Sequence, residues 1–495
     1  MHRGNCRNFA LAVSVVSVAL GMNIAARASG LLRPCSEALA PVLPGCCAYG
    51  LEINAFKTCI MNPKAYKFMK HQLRQETCLV WSLLVFFVLG MASCGESVNK
   101  GKADAGTPVR RSAAEVADWL GLGWNLGNQY DAFDNGVASD TAWGNPPVTK
   151  ALFDSLAAAG FTSVRIPVTW LGHIGAAPDY VLDEAWLARV GQVVDYAEQA
   201  GLKVLVNIHH DGADSKHWLN IKAAAASDSA NTVVKAQLRA VWSQIATYFK
   251  DKGEFLVLEA MNEIHDGGWG WGENRKDGGR QYAVLNEWNQ VFVDAVRATG
   301  GGNATRYLGV PGYCTNPQLT LEHFVMPKDS VPGRLLVAVH FYDPVDFVLN
   351  DKYSQWGHTA AGGQYVPGGN EENVQQVFGS LKAKFIDQGI PVYIGEMGCV
   401  RRADERSEAF RKYYLEYVCK AARDNSLSLF YWDNGYAGTG REQSGLFDRA
   451  TGACLNDSRD IVGAMVRGFF NDAPDYTLQS VYDNAPRWTV TVKDV

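Results

Sequence analysis

The chain has 495 residues, enough for a large barrel with extensions. Hydrophobic residues make up 47% and charged residues 20%, so an ordinary globular core is expected. The formal net charge of −5 excludes the basic footprint of a nucleic-acid partner.

The first hundred residues read as targeting sequence, not fold. Lys70 and Arg74 precede an apolar run at 79–92, followed by Ser93-Cys94. The run is shorter than the roughly 20 residues that prefer to span a bilayer. Residues 69–94 resemble a bacterial lipoprotein signal with Met69 as start and Cys94 as the lipidated residue, although Met91 stands where Leu is usual. That implies a secreted chain anchored by lipid at the outer membrane or cell surface. Residues 9–20 with Ala26-Arg27-Ala28 resemble a second secretory signal, and two in tandem make little sense. Residues 1–68 are therefore read as an over-extended gene start or untranslated leader. The polar, Gly/Ser/Lys/Ala-rich stretch within 95–112 is read as a flexible tether. Seven cysteines precede residue 95, and only Cys314, Cys399, Cys419 and Cys454 follow. Their spacing shows no metal pattern, and four buried thiols are expected.

From residue 113 short apolar runs alternate with amphipathic ones. Strands are expected at 122–128, 163–169, 203–209, 256–263, 306–313, 335–342, 391–398 and 427–434. Helices are best patterned at 184–200, 233–250, 283–299 and 407–424. Gly160, Gly201, Gly300 and Gly389 stand where helix C-caps belong. Eight such units predict an α/β fold, a (β/α)8 TIM barrel over 113–471, with 472–495 as a C-terminal extension. A doubly wound open sheet is the rival. It gives no reason for polar or aromatic residues at the C-terminal ends of nearly every strand: Asn128, His209, Asn262, Glu263, His340, Tyr342, Glu396 and Trp432, with Arg165 nearby.

The stretch LVLEAMNEIHDGGWGWG delivers Asn262-Glu263 at the end of a buried strand, and PVYIGEMG delivers Glu396 in the same way. Two facing carboxylates are what a retaining glycosidase uses, one as acid and then base, the other as nucleophile. Glu259 shares parity with Glu263 and is expected deeper in the barrel, paired with Arg165. The charge of Glu396 is expected to raise the Glu263 carboxyl. His210 is either a substrate contact or a residue held by Asp211. The His209-His210-Asp211 string does not predict a metal, because adjacent strand residues point opposite ways. Trp269 and Trp271 are either sugar platforms or loop anchors, and Trp143, Trp170, Trp218 and Trp356 are weaker versions of the same case.

The ordered motifs GWNLGN, VRIPVTW, VNIHHD, MNE, VHFYDP, YIGEMG and YWDNG, spread over roughly 122–447, resemble glycoside hydrolase family 5, closest to its endoglucanase and xyloglucanase branch. The resemblance implies a retaining endo-β-1,4-glucanase with Glu263 as acid/base and Glu396 as nucleophile. It implies substrate contacts from Arg165, His209, Asn262, His340, Tyr342 and Trp432. Ile264 follows the acid/base where many members carry Pro. Cellulose, mixed-linkage β-glucan and xyloglucan are the expected substrates, acted on by a monomer without cofactor or metal. A mannanase or xylanase on the same scaffold is the alternative. A non-catalytic glycan-binding surface lipoprotein is the alternative of another class, and it would not need both carboxylates.

Overall fold

The computed structural model describes residues 110–487. The leader, the signal with Cys94, most of the tether and residues 488–495 lie outside the described residues.

Eight parallel strands close into a barrel: β1 Leu122–Leu126, β2 Ser163–Ile166, β3 Lys203–Asn207, β4 Leu256–Glu259, β5 Leu308–Pro311, β6 Leu335–Phe341, β7 Val392–Met397 and β8 Ser428–Asp433. Each strand pairs with its neighbour in sequence, and β1 pairs with β8 to close the ring. Helix α1, Ala113–Leu120, precedes the barrel. The main helix after each strand in turn is α2 Lys150–Ala159, α3 Glu184–Gln199, α4 Asp228–Phe249, α5 Arg280–Ala298, α6 Pro317–His323, α7 Glu371–Lys384, α8 Glu405–Asp424 and α9 Ser458–Phe470. Among the described residues no helix is long and apolar enough to cross a membrane.

Helices α4 and α8 begin earlier than the apolar period predicts. Their starts are set by caps upstream of it: Ser227 accepts from Ala230 N–H, and Asp404 from Ser407 N–H. The four glycines expected at helix ends all have positive φ.

Alternation along the strands divides the interior. Residues such as Val204, Val206, Leu256, Leu258, Val337 and Val339 face the helix layer in one large core. Leu205, Val257, Leu336, Ala338, Tyr393 and Phe430 fill the barrel, joined by Val116 and Leu120 of α1. Helix α1 therefore closes the floor. Arg306, expected within a strand, lies before β5 instead. It donates to four backbone carbonyls at this end, among them Leu256 O at 2.9 Å.

The C-terminal extension packs as a helix and not as a strand. Helix α10, Leu478–Asp483, lies beside α8, with Tyr476 donating to Glu416 at 2.6 Å and Tyr482 stacked on His358. The four later cysteines are unpaired, and three are buried as expected. Cys454 is half-buried, because it sits on an isolated bridge to Phe447 beyond the strands.

Candidate active site

The ladder stops short of the chemistry. Strand β4 ends at Glu259, and Asn262 and Glu263 stand on the segment beyond it. His209 and Tyr342 likewise stand just past β3 and β6. The predicted strands were too long at this rim, because apolar composition continues where strand pairing has ended.

The deepest polar layer is built on Arg165, fully buried on β2. A guanidinium has five N–H donors, and each has a partner here. Nε and Nη2 donate to the two oxygens of Glu259 at 3.0 and 2.7 Å, and Nη2 also donates to Asn262 Oδ1 at 2.9 Å. Nη1 donates to Asn125 Oδ1 at 3.0 Å and to Glu396 Oε1 at 2.7 Å. The expected Arg165–Glu259 pair is thus present, and Tyr393 adds a 2.7 Å bond to Glu259. Burial raises the Glu259 carboxyl, but the charge and hydrogen bonds of Arg165, with the Tyr393 bond, outweigh it and hold it below the ordinary value. Because Asn262 Oδ1 accepts from Arg165, its NH2 group is left as a donor.

Above this layer the two carboxylates face each other. One oxygen each of Glu263 and Glu396 and a nitrogen of His340 lie within 4.8 Å of one another. Glu396 is buried and accepts from Arg165 and, at 3.0 Å, from the Tyr342 hydroxyl. Glu263 is partly open, with Oε1 2.6 Å from His340 Nδ1 and 3.5 Å from the Thr315 hydroxyl. His340 and Tyr342 share a face, as their spacing predicts.

The electrostatics depart from expectation. Burial raises the Glu263 carboxyl, but the His340 hydrogen bond and the charges of His340, His265 and Arg165 outweigh it and leave it below the ordinary value. Burial is also the main cause at Glu396, where it prevails over His340 and Arg165 with help from the charge of Glu263, so that carboxyl is raised. The predicted order is therefore reversed, because the sequence did not show that His340 bonds directly to Glu263. Within 4.8 Å of each other, the two carboxyls feel each other's charge, so a proton on one favours charge on the other. Burial pushes the Tyr342 hydroxyl well up, which keeps it a donor.

His209 and His210 were expected to diverge. Their rings instead touch edge to face, with centroids 4.5 Å apart. The strand has ended at Asn207, and His210 opens a 3₁₀ turn. His210 Nε2 lies 3.5 Å from Asp131, not on Asp211. Asp211 instead accepts from Trp170 N–H and, at 2.7 Å, from the Trp218 indole. Burial, with the charges of His210, Arg165 and His340, holds His209 well below the ordinary imidazole value.

The cleft is lined by Asn128, Trp143, His210, Glu263, Trp269, Tyr342, Glu396 and Trp432, among others. Trp432 lies parallel to His209, with ring centroids 5.8 Å apart. Trp269 packs on His265 and is 58% exposed, so one face is open to the cleft. Trp271 is 73% exposed but does not line the cleft, and the Arg275 guanidinium lies over its ring. Of the weaker tryptophans, Trp143 lines the cleft, whereas Trp170 and Trp356 are core. Glu442 and Ser444, on the loop after β8, also line it, and nothing in their spacing marks them. Asn125, Asn207 and Thr315 were missed too. The first two fall at inward positions of expected strands, which was the available signal.

Against known proteins, the model of the cellulase family (glycosyl hydrolase family 5) matches residues 128–438. Endoglucanase A of Paenibacillus barcinonensis is 36% identical over 410 residues, 79% of this chain and 99% of the relative. A xyloglucan-specific endo-β-1,4-glucanase of Bacteroides ovatus is 37% identical, over 72% of this chain and 70% of the relative. Among solved structures, a broad-specificity endoglucanase from Bacteroides salanitronis is 61% identical, with a TM-score of 0.72, covering 75% of this chain and all of that one.

Proposed function

This chain belongs to glycosyl hydrolase family 5, the cellulase family, and from that premise we propose that it is an endo-acting β-1,4-glucanase that cleaves with retention. The close approach of Glu263 and Glu396 carries this reading. Retaining enzymes hold their carboxyls about 5–5.5 Å apart, whereas inverting ones leave about 6.5–9.5 Å for a water. An approach within 4.8 Å between one oxygen of each leaves little room for that water and supports the first class.

The contacts of the two carboxyls support the roles expected of them. Glu396 sits on two donors, Arg165 and Tyr342, which suit an ionised nucleophile. Glu263 faces the open side and needs its proton for the leaving oxygen. His340 Nδ1 serves either state, donating to the carboxylate or accepting from the acid. A bound sugar shuts water out of the pair and strengthens the bonds that favour charge on Glu396, which moves the shared proton to Glu263. Once the glycosyl-enzyme forms, the Glu396 charge is gone and Glu263 acts as base for water. The NH2 group of Asn262 donates to a sugar hydroxyl, while Trp432 and Trp269 offer ring faces.

Cellulose-type chains, mixed-linkage β-glucan and xyloglucan fit this site, and the names of the relatives support the breadth. An endo-acting enzyme will lower the viscosity of a soluble β-1,4-glucan much faster than reducing ends accumulate. Release of only glucose or cellobiose at preserved viscosity would reject endo action. A parallel screen on xylan and glucomannan separates the glucanase from a xylanase or mannanase.

We further propose a lipid anchor at Cys94, supported by the apolar run at 79–92 and the Ser93-Cys94 junction. Cys94→Ala is expected to move the enzyme from the membrane to the soluble fraction. Peptides from residues 1–60 in the mature native protein would reject this processing.

A further inference from the structure

Asn207 is fully buried on β3, two residues before His209, and its amide touches three groups. Val168 N–H donates to Oδ1 at 3.1 Å. Nδ2 donates to Glu259 Oε1 at 2.8 Å and lies 3.1 Å from His209 Nδ1. The first two contacts fix which end of the amide is which. Turned over, its carbonyl would face a carboxylate and its NH2 a backbone N–H, and neither pair is a hydrogen bond. Arg165 holds Glu259 ionised, so one Nδ2 proton is committed to that carboxylate. The other points at His209 Nδ1, which therefore accepts. That leaves the imidazole proton on Nε2, the nitrogen on the Glu396 side, 3.9 Å from Oε1.

We infer that Asn207 is a positioning residue that locks His209 in its Nε2–H tautomer, so that the ring offers the cleft a donor and never an acceptor. The 3.9 Å gap is too wide for a direct hydrogen bond. A sugar hydroxyl entering it accepts from Nε2–H and keeps its own proton to donate to Glu396. This rests on the glucanase reading above, and it specifies how one substrate hydroxyl is oriented at the nucleophile. The charged or titratable groups facing the ring are Arg165 from β2, His340 from β6, Glu396 from β7 and the adjoining His210, while Trp432 from β8 covers one face. Among the described residues the only carboxylate hydrogen-bonded to Asn207 is Glu259, backed by Arg165 and Tyr393.

The test is ¹⁵N NMR of the full-length enzyme labelled at histidine, with His209 assigned through His209→Gln. The wild type is expected to show an unprotonated Nδ1 and a protonated Nε2. A protonated Nδ1 overturns the proposal and needs no variant. Asn207→Asp gives a second readout. Its carboxyl carries at most one proton where the amide had two, and that proton faces the Glu259 carboxylate. The oxygen then accepts from Nδ1–H and reverses the tautomer. This variant should therefore lose about tenfold in kcat/KM, the value of one hydrogen bond, with the two nitrogen signals exchanged. Asn207→Leu should lose a similar factor at every pH, with mixed tautomers. Loss of activity in either variant while the His209 nitrogens stay as in the wild type would make Asn207 mere scaffold and overturn the lock. A wild type with the expected tautomer but no activity on any β-glucan defeats the glucanase reading instead, so the two failures are distinct.

Discussion

Glu396→Gly will hydrolyse natural β-glucan at least about 10²-fold more slowly than the wild type, the lower end for loss of a group that acts in the transition state, and azide will restore turnover as the α-glycosyl azide. The small side chain leaves a cavity between Arg165 and Tyr342, the two donors that held the carboxylate. An anion seated there attacks the face that Glu396 normally uses, so the product is inverted. Glu263→Ala will lose activity on the natural substrate by a similar factor but behave differently with an activated aryl β-glycoside. That leaving group needs no proton, so glycosylation stays fast. The covalent intermediate then accumulates because no base activates water, and azide releases it as the β-glycosyl azide. Product configuration by NMR checks both variants. The opposite pair of configurations would exchange the two roles. Two variants that keep natural-substrate activity would remove the pair from catalysis altogether.

Arg165→Met will destabilise the fold by about 3–5 kcal/mol, the usual result of removing one partner from a buried ion pair. Two carboxylates, Glu259 and Glu396, lose their cation at once, in a layer where Arg165 and Glu259 are almost wholly inaccessible. The pH dependence follows with a definite sign. Glu259 is held below the ordinary carboxylate value, so the stability it contributes is present above that value and is lost as pH falls through its depressed one. In Arg165→Met the cause is gone, the Glu259 carboxyl rises, and the variant gains stability as pH drops through that raised value. Denaturant unfolding at several pH values measures both effects. Adding Glu259→Leu should recover most of the stability, since replacing a buried pair by apolar groups is often neutral or better. It should not recover activity, because Glu396 keeps Tyr342 but still lacks the charged donor. Full activity in the double variant would show that the guanidinium serves only the fold.

Much of this site was legible because inward positions alternate. Arg165, Glu259, His340 and Tyr342 occupy the places that a period of two assigns, and charge balance alone paired Arg165 with Glu259. What failed did so for local reasons. Apolar residues carried the predicted strands past their true ends at Glu259 and Asn207. The turn after Asn207 swung His210 beside His209. The bond that sets the order of the two carboxyls, from His340 to Glu263, joins residues 77 apart in the chain, and no local pattern reports it. The position of Glu396 hides a further irregularity. Tyr393 and Glu396 both point into the barrel, while Ile394 and Met397 both face the helices. Strict alternation forbids this. The register of β7 against β6 slips between Val339 and His340, leaving Gly395 as the extra residue of a bulge. A Cβ there would sit 3.1 Å from His340 Nε2, so the bulge and the imidazole share one space.

That slip has a bearing on how the gene tolerates recombination. Strand β7 carries two phases, one below the bulge that aims Tyr393 at the buried ion layer and one above it that aims Glu396 at the substrate. A chimera joined inside β7 inherits its lower phase from one parent and its upper phase from the other. It keeps the bulge beside His340 only if the parent that supplies this step carries the extra residue. Loss of the single Gly395 codon leaves every catalytic side chain encoded and Glu396 still inward, yet removes the bulge that sets this step against His340. Crossovers in the surface loops leave this phase untouched, so family shuffling should place its joints there and pass β7 on whole.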